Sequence, residues 1–390
     1  MKEFGGFKAV FVRELKKMFS RPLYLIATVV VLFICSFFFL TIMQQGVPER
    51  MPIGVVDLDY TTTSRNIIRQ LNSMQLVEVK MVYNSYAEAR IAMQKGDIYG
   101  FMLLPKNFSD EMLAMHRPVV SFYTNNAYTV GAGMAYKQML TMCNLVSGSF
   151  HLTVLQKKGM PDYMAMKIVQ PIAIEAHQIG NPTSNYSIYL LGTMIPGVLG
   201  LIVLMTTIFA IGIELKDKTA PEWMETAGGS MTSAILGKTL PYTILYVILG
   251  VCVNIVMFQI MHFPVKGSYF LLSFTVLLFV TVMQAVGVLI IGAVPVLRTA
   301  LSVGALYGML GFTMSGFTFP AMAMLPPFRS LTWLFPLHHY YSVYVNEALL
   351  GGPLINTLIP IAALVAFFIG PHLISRRLNY AAIHLNYATK

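Results

Sequence analysis

The sequence is poor in charge and in cysteine. Only 11% of its 390 residues are Asp, Glu, Lys or Arg, and three are cysteines. A soluble domain carries roughly 25% charged residues, and a disulfide scaffold is dense in cysteine. These shortages exclude a disordered chain, a disulfide-stabilised secreted domain and a nucleic-acid binder that relies on charge.

Apolar residues make up 56% of the chain, and the mean hydropathy is +0.65. Six segments contain no Asp, Glu, Lys or Arg, and each is longer than the ~20 residues that a helix needs to cross a bilayer. These segments are 22–48, 176–213, 239–265, 267–297, 299–328 and 348–375. They predict an α-helical integral membrane protein with six transmembrane helices, at 22–43, 188–213, 239–262, 269–293, 299–318 and 353–375.

Lys and Arg indicate the orientation, because they collect on the cytoplasmic side of membrane proteins. They are concentrated before the first span, after the last one and between the second and third. We therefore expect the N-terminal segment 1–21, the loop 214–238 and the tail 376–390 to be cytoplasmic.

Residues 44–187 differ in character from the rest of the chain. Strand-like runs such as Ile53–Asp59 alternate with segments of helical spacing, and Gly96 stands where one of these helices should end. The pattern predicts an extracytoplasmic α/β domain inserted between the first two transmembrane helices.

Two cytoplasmic segments are candidates for partner contacts. Segment 1–21 has apolar residues largely on one helical face, which indicates an amphipathic helix on the membrane surface, although a plain basic flank is the alternative. In loop 214–238, a short helix ending at Gly228 would expose Glu222, Trp223 and Glu225. The alternative places Trp223 as an aromatic anchor at headgroup depth.

Lys238 lies in a Gly-Lys-Thr triplet that resembles the end of a phosphate-binding loop. The position that requires the first glycine of that motif is Thr232, and no strand precedes the segment. We therefore expect no ATP binding by this chain. No catalytic constellation or metal-ligand spacing is visible either, so the chain is not expected to be an enzyme.

Segment 319–350 is interrupted by prolines, too broken for a span and too apolar for a solvated loop, so it is expected to form re-entrant or interfacial helices. We expect its aromatic residues to lie at headgroup depth: Trp333, Tyr340, Tyr341 and Tyr344. The adjacent His338 and His339 make a poor metal pair, and a structural role is the better interpretation.

Three motifs in this order resemble a known family. They are the external run 55–65 with 88–109, the loop pattern formed by Glu214, Lys216, Thr219 and Trp223, and the sequence SGFTFP from Ser315 onward. The chain resembles the permease subunits of ABC-2-type (type V exporter-like) transporters over essentially its whole length. Ala220-Pro221 departs from the family's usual loop sequence.

The resemblance implies a set of partners and sites. It implies a separate ABC ATPase, which carries ATP and Mg, a second permease subunit (identical or homologous), and no cofactor on this chain. Large inserted external domains of this type often meet a periplasmic adaptor, and an outer-membrane channel would complete such a path. The residues implied in ATPase coupling are Arg13, Glu14, Lys17, Glu214, Lys216, Asp217, Glu222, Trp223 and Glu225. The re-entrant signature comprises Ser315, Gly316, Pro320, Pro326, Pro336 and His338.

The sequence thus predicts an inner-membrane exporter permease for a hydrophobic or amphiphilic substrate. The spans lack charged residues, which argues against a carrier coupled to protons or sodium. The alternative is a non-transporting envelope sensor or anchor whose external domain binds a ligand. Nothing in the composition points to a nucleic-acid partner.

Overall fold

The computed structural model describes residues 5–20, 26–43 and 46–384, and the chain forms two compact units. One unit comprises 45–177, and the other combines 1–44 with 178–390.

The unit 45–177 is an α/β layer structure. Its strands are β1 (Met51–Asp57), β2 (Val77–Tyr83), β3 (Gly100–Leu104) and β4 (Ser121–Thr124). They form one sheet in the order β2-β1-β3-β4, in which β1 is parallel to both neighbours and β4 is antiparallel to β3. Its helices are α3 (Thr62–Asn72), α4 (Tyr86–Lys95), α5 (Phe108–Leu113), α6 (Thr129–Lys157) and α7 (Asp162–Val169).

Side chains of β1 contribute to the hydrophobic core on both faces of the sheet. Ile53 and Val55 pack with buried residues of α3 and α6, whereas Val56 packs with Ala89 and Ala92 of α4. Successive side chains of a strand point to opposite faces, so a single strand supplies both layers. The helix ends are capped as the sequence predicts, since α4 ends before Gly96, whose φ is +83°.

The other unit is helical. Helix α1 is Phe7–Ser20, and a π-helical segment Ile26–Val30 leads into α2 (Val31–Ile42). The long helices are α8 (Tyr186–Lys216), α10 (Met231–Ile255, continued by the π-helical segment Val256–Ile260), α11 (Tyr269–Ala293) and α12 (Leu297–Met314). The short helix α9 is Ala220–Thr226. The last elements are α13 (Pro326–Leu331), α14 (Pro336–Tyr344), α15 (Ile355–Ala366) and α16 (Ile369–His384).

Four helical segments are long and apolar enough to cross a membrane. They are Tyr186–Lys216, Met231–Ile260, Tyr269–Ala293 and Ile355–His384. They correspond to the predicted second, third, fourth and sixth spans, and the protein is a mostly helical, multi-pass membrane protein.

The first and fifth spans, and with them the count of six, stay predictions. Helix α2 has 12 residues, and part of the predicted span 22–43 lies outside the described residues. Helix α12 has 18 residues, which corresponds to about 27 Å, slightly less than the ~30 Å hydrocarbon core. It ends at Met314 because Ser315 and Gly316, whose φ is +91°, turn the chain.

Helices α8 and α11 are mostly buried, whereas α10 and the last helical segment present most of their surface outward. Small residues allow the close packing of α8. A Cβ atom at Gly197 would lie 2.3 Å from the Phe312 ring, and one at Gly200 would lie 2.6 Å from the Phe279 ring. Glycine is favoured at such helix contacts in membranes because it lets the neighbouring helix approach.

Segment 319–350 is broken into short helices, including α13 and α14, as its prolines predict. Two of the four aromatic residues expected at headgroup depth do not lie on the surface of the chain. Tyr340 and Tyr344 are buried inside the protein. The Tyr344 hydroxyl donates to the carbonyl of Ile188, and the Tyr340 ring lies 5.0 Å from that of Phe279. Tertiary packing on α8 and α11 therefore takes these rings out of the surface.

Candidate functional site

Helix α1 is packed along the first turns of α10. It buries Val10, Glu14 and Met18, which are spaced four residues apart and so form one stripe of the helix. At Gly237 an added Cβ would lie 2.8 Å from both the Phe7 carbonyl oxygen and the Val10 Cβ. The absence of a side chain at this position is what brings the two helices together. The predicted amphipathic helix thus exists, but its buried stripe contains a carboxylate.

Glu214, at the end of α8, is the centre of an ion network. Its carboxylate is fully buried and accepts hydrogen bonds from Lys17 Nζ at 2.6 Å, Lys238 Nζ at 2.9 Å and Arg13 Nη2 at 3.1 Å. The Thr219 hydroxyl also donates to it. A buried carboxylate is tolerated only when its charge is compensated in this way.

Lys238, at the start of α10, joins this centre to α1. Its ammonium group is 1% exposed and lies 2.6 Å from Glu14 Oε2, in addition to its contact with Glu214. The Tyr242 hydroxyl donates to the other oxygen of Glu14 at 2.9 Å. Three cations and two carboxylates thus connect α1, α8 and α10 through side chains.

Trp223 completes the network from α9, and the expectation that it is exposed is wrong. Its side chain is fully buried, and Lys238 Nζ lies 5.5 Å from the centre of its ring. This arrangement is a cation–π contact in a desolvated setting, so the indole is fixed by the protein itself. The amide of Gly6 donates to the carbonyl of Thr226 at 2.7 Å and ties the beginning of α1 to the end of α9.

The predicted coupling residues therefore fall into two groups. Arg13, Glu14, Lys17, Glu214 and Trp223 are engaged in internal contacts. The exposed members are Lys216, Asp217, Glu222 and Glu225. The charges of the second group are free to contact a partner, whereas those of the first group are paired within the protein.

The re-entrant signature is fixed by one histidine. His338, on α14, has its Nδ1 3.0 Å from the carbonyl oxygen of Ser315, and the buried Ser315 hydroxyl donates to the Phe312 carbonyl. Gly316 takes the left-handed conformation beside the same ring. His338 thus contributes a structural contact that holds the turn after α12.

The prolines of the signature lie at helix starts or in the intervening loop. Pro326 and Pro336 begin α13 and α14, where the missing amide costs nothing. Pro320 is exposed and precedes a short 3₁₀ turn. These residues shape the segment and make no site of their own.

Sequence reasoning missed Lys238 and Tyr242 as members of the network. The sequence marks Lys238 only as one charge of a basic loop and as part of a triplet that resembles a phosphate-binding motif. Two signals could have revealed the pairing: a glutamate within the apolar stripe of α1, and a lysine immediately before the uncharged segment 239–265.

A further buried carboxyl group, outside the ion network, was also missed. Glu347 is 5% exposed, and its oxygens accept from the Ser268 amide at 2.8 Å and from the Thr357 hydroxyl. Within the described residues it has no ion pair, so neutral donors alone satisfy it. The Glu347 carboxylate thus holds the loop between α10 and α11 to the end of segment 319–350.

An apolar groove of about 580 Å³ lies beside the ion network. Phe7 of α1, residues of α10 and α11, and the first turns of α16 line it. Gln284 is its buried polar group, and it is satisfied by the Thr243 hydroxyl and the Thr239 carbonyl.

The family comparison agrees with this architecture. The sequence model of a family described as ABC-2 family transporter protein matches residues 22–375. A search of curated proteins found no significant match.

Proposed function

Because the chain belongs to the ABC-2 family of transporter proteins, we propose that it is the permease subunit of an ABC exporter. It forms the path for a hydrophobic or amphiphilic substrate and is driven by ATP hydrolysis on a separate ATPase subunit. A second permease subunit completes the path. The four apolar, membrane-length helices and the family match support this proposal.

The ion network is the observation that carries the coupling part of the proposal. Through Glu214, Glu14 and Lys238, it joins α1 to the ends of two membrane-length helices, α8 and α10. A force applied to α1 or α9 is then transmitted to both helices at once, because the buried pairs resist separation. Direct coupling of this kind is what an external motor requires.

The ATPase would contact the exposed face of this assembly. Glu222 and Glu225 lie on one side of α9, and Lys216 and Asp217 lie at the end of α8. In this proposal α1, α9 and the tail are cytoplasmic, and the unit 45–177 lies outside the inner membrane. A periplasmic adaptor and an outer-membrane channel would meet that external unit.

Charge reversal at the exposed residues tests the proposal. The variant Glu222→Lys with Glu225→Lys leaves Trp223 and the ion network in place. We expect this variant to insert into the membrane and to unfold like the wild type. It should no longer recover an ABC ATPase from native membranes in mild detergent, and it should no longer stimulate ATP hydrolysis by that ATPase. Glu78→Lys with Glu175→Lys is the matched control, because both residues are exposed in the unit 45–177.

Two results would count against the proposal. If the charge-reversed protein still recovers and fully stimulates an ABC ATPase, α9 is not part of the coupling surface. Failure of the wild type to recover any ABC ATPase would instead favour the envelope sensor.

A further inference from the structure

A cleft in the unit 45–177 has no assigned role. It has a volume of about 370 Å³ and is bounded by α3, α5, β4 and the second half of α6. Small-molecule sites in proteins range from ~300 to ~1,000 Å³, so this cleft has the size of a site for a small ligand. Helix α6 is 29 residues long and forms one wall beyond Met142, where it no longer contributes to the buried core.

The floor of the cleft is apolar. Phe108 and Met142 are buried, and Met112, Phe122 and Phe150 are partly exposed to the cleft. Methionine is flexible and polarisable, so a floor of this composition adapts to alkyl chains of different shapes. These side chains leave an apolar surface that the unit itself does not cover.

The rim of the cleft is basic. Arg117 and His116 come from the segment before β4, and His151 comes from α6. No Asp or Glu is among the described residues that line the cleft, and none of these three side chains forms an ion pair within the described part of the chain. The planar guanidinium of arginine matches carboxylate, sulfate and phosphate groups with paired hydrogen bonds.

We propose that this cleft binds a small single-chain amphiphile with an anionic headgroup. The alkyl chain lies against Met112, Met142 and Phe150, and the headgroup is held by Arg117 with His116 and His151 beside it. Charge complementarity selects an anion, and the volume selects one chain of medium length over a two-chain lipid. The inference concerns binding alone and does not depend on the proposed transport.

Radiolabelled laurate is the probe that tests the proposal. Binding is measured on the full-length protein in nanodiscs, with empty nanodiscs subtracted to remove partition into lipid. We expect saturable binding that neutral dodecanol displaces poorly. Arg117→Gln should weaken binding about tenfold or more, the loss of one charge-assisted contact. Arg90→Gln, an exposed arginine on α4 at the opposite face of the sheet, should leave it unchanged.

A second pair of variants tests the cleft itself. Ser147 is exposed and lines the cleft, so Ser147→Trp should fill it and abolish binding without disturbing the core. Ser149→Trp places the same side chain at an exposed position outside the lining and should bind normally. Thermal unfolding shows whether each variant is folded.

Three outcomes would overturn the proposal. The first is an absence of saturable laurate binding by the wild type. The second is equal affinity in the wild type, Arg117→Gln and Ser147→Trp. The third is a disulfide crosslink between two copies of the Ser147→Cys variant in the absence of laurate, which would make the cleft a protein interface.

Discussion

Two groups of acidic side chains, one in each unit of this protein, are stabilised in opposite ways. In the unit 45–177, the buried Asp57 and the half-buried Asp59 are satisfied by neutral hydroxyl and amide donors, including the Ser64 hydroxyl at 2.7 Å from Asp57. In the helical unit, Glu214 accepts from three cations and Glu14 from one, and each cation lies on a different helix from the carboxylate that it contacts. Neutral donors hold the end of β1 to the starts of α3 and α5, whereas the cations connect long helices.

The largest expected effect comes from removing the shared cation. Lys238→Met leaves Glu14 without a cation, and loss of one member of a buried pair costs about 3–5 kcal/mol. We expect that loss in the free energy of unfolding, measured by denaturant titration in mild detergent. Lys17→Gln is the matched control. Its side chain is 28% exposed, and Glu214 keeps its other donors, so the loss should be about 1 kcal/mol or less.

A double variant sharpens this prediction. Lys238→Met with Glu14→Leu removes both charges of the pair and should recover much of the stability, since an apolar pair of similar volume replaces a buried ion pair at little cost. A double variant no more stable than Lys238→Met alone would show that the two residues are not coupled.

A smaller and local effect is expected in the α/β unit. Asp57→Ala removes the acceptor for the Ser64 hydroxyl and for two backbone amides, which should cost about 1–3 kcal/mol. Hydrogen exchange should show faster opening of the start of α3 and no change in α1 or α10. Faster exchange in α10 as well would mean that the two units are coupled.

The smallest effect is a dependence on acid. Burial raises the pKa of Asp59, but hydrogen bonds from Ser109 and Thr61 outweigh it and hold the pKa below its usual value of 3.8. A carboxylate with a lowered pKa adds stability that is complete above the unfolded pKa and is lost as the pH falls through the folded one. The wild type should therefore lose stability below about pH 4, and Ser109→Ala should reduce this pH dependence. An unchanged acid profile in Ser109→Ala would exclude Asp59 as the titrating group.

Local patterns predicted the α/β unit well. The apolar run that forms β1 and the stop at Gly96 depend on residues a few positions apart, and both are found in the structure. The same reasoning failed at Trp223. An aromatic residue in a polar loop suggests exposure, but Trp223 is buried with Lys238 over its ring, and no spacing within the loop records that contact.

The sequence by itself determined which segments are apolar enough for a membrane, where the α/β unit lies and which family the chain resembles, because composition and short-range periodicity carry that information. Tertiary structure alone decided that Glu14, Glu214 and Lys238 meet. The partners on α1 and α10 are 224 positions apart, and only the packing of α1 over Gly237 brings them within hydrogen-bonding distance. Because the contact is desolvated, each of these charges is stable there only when it is paired with the opposite charge of its neighbours.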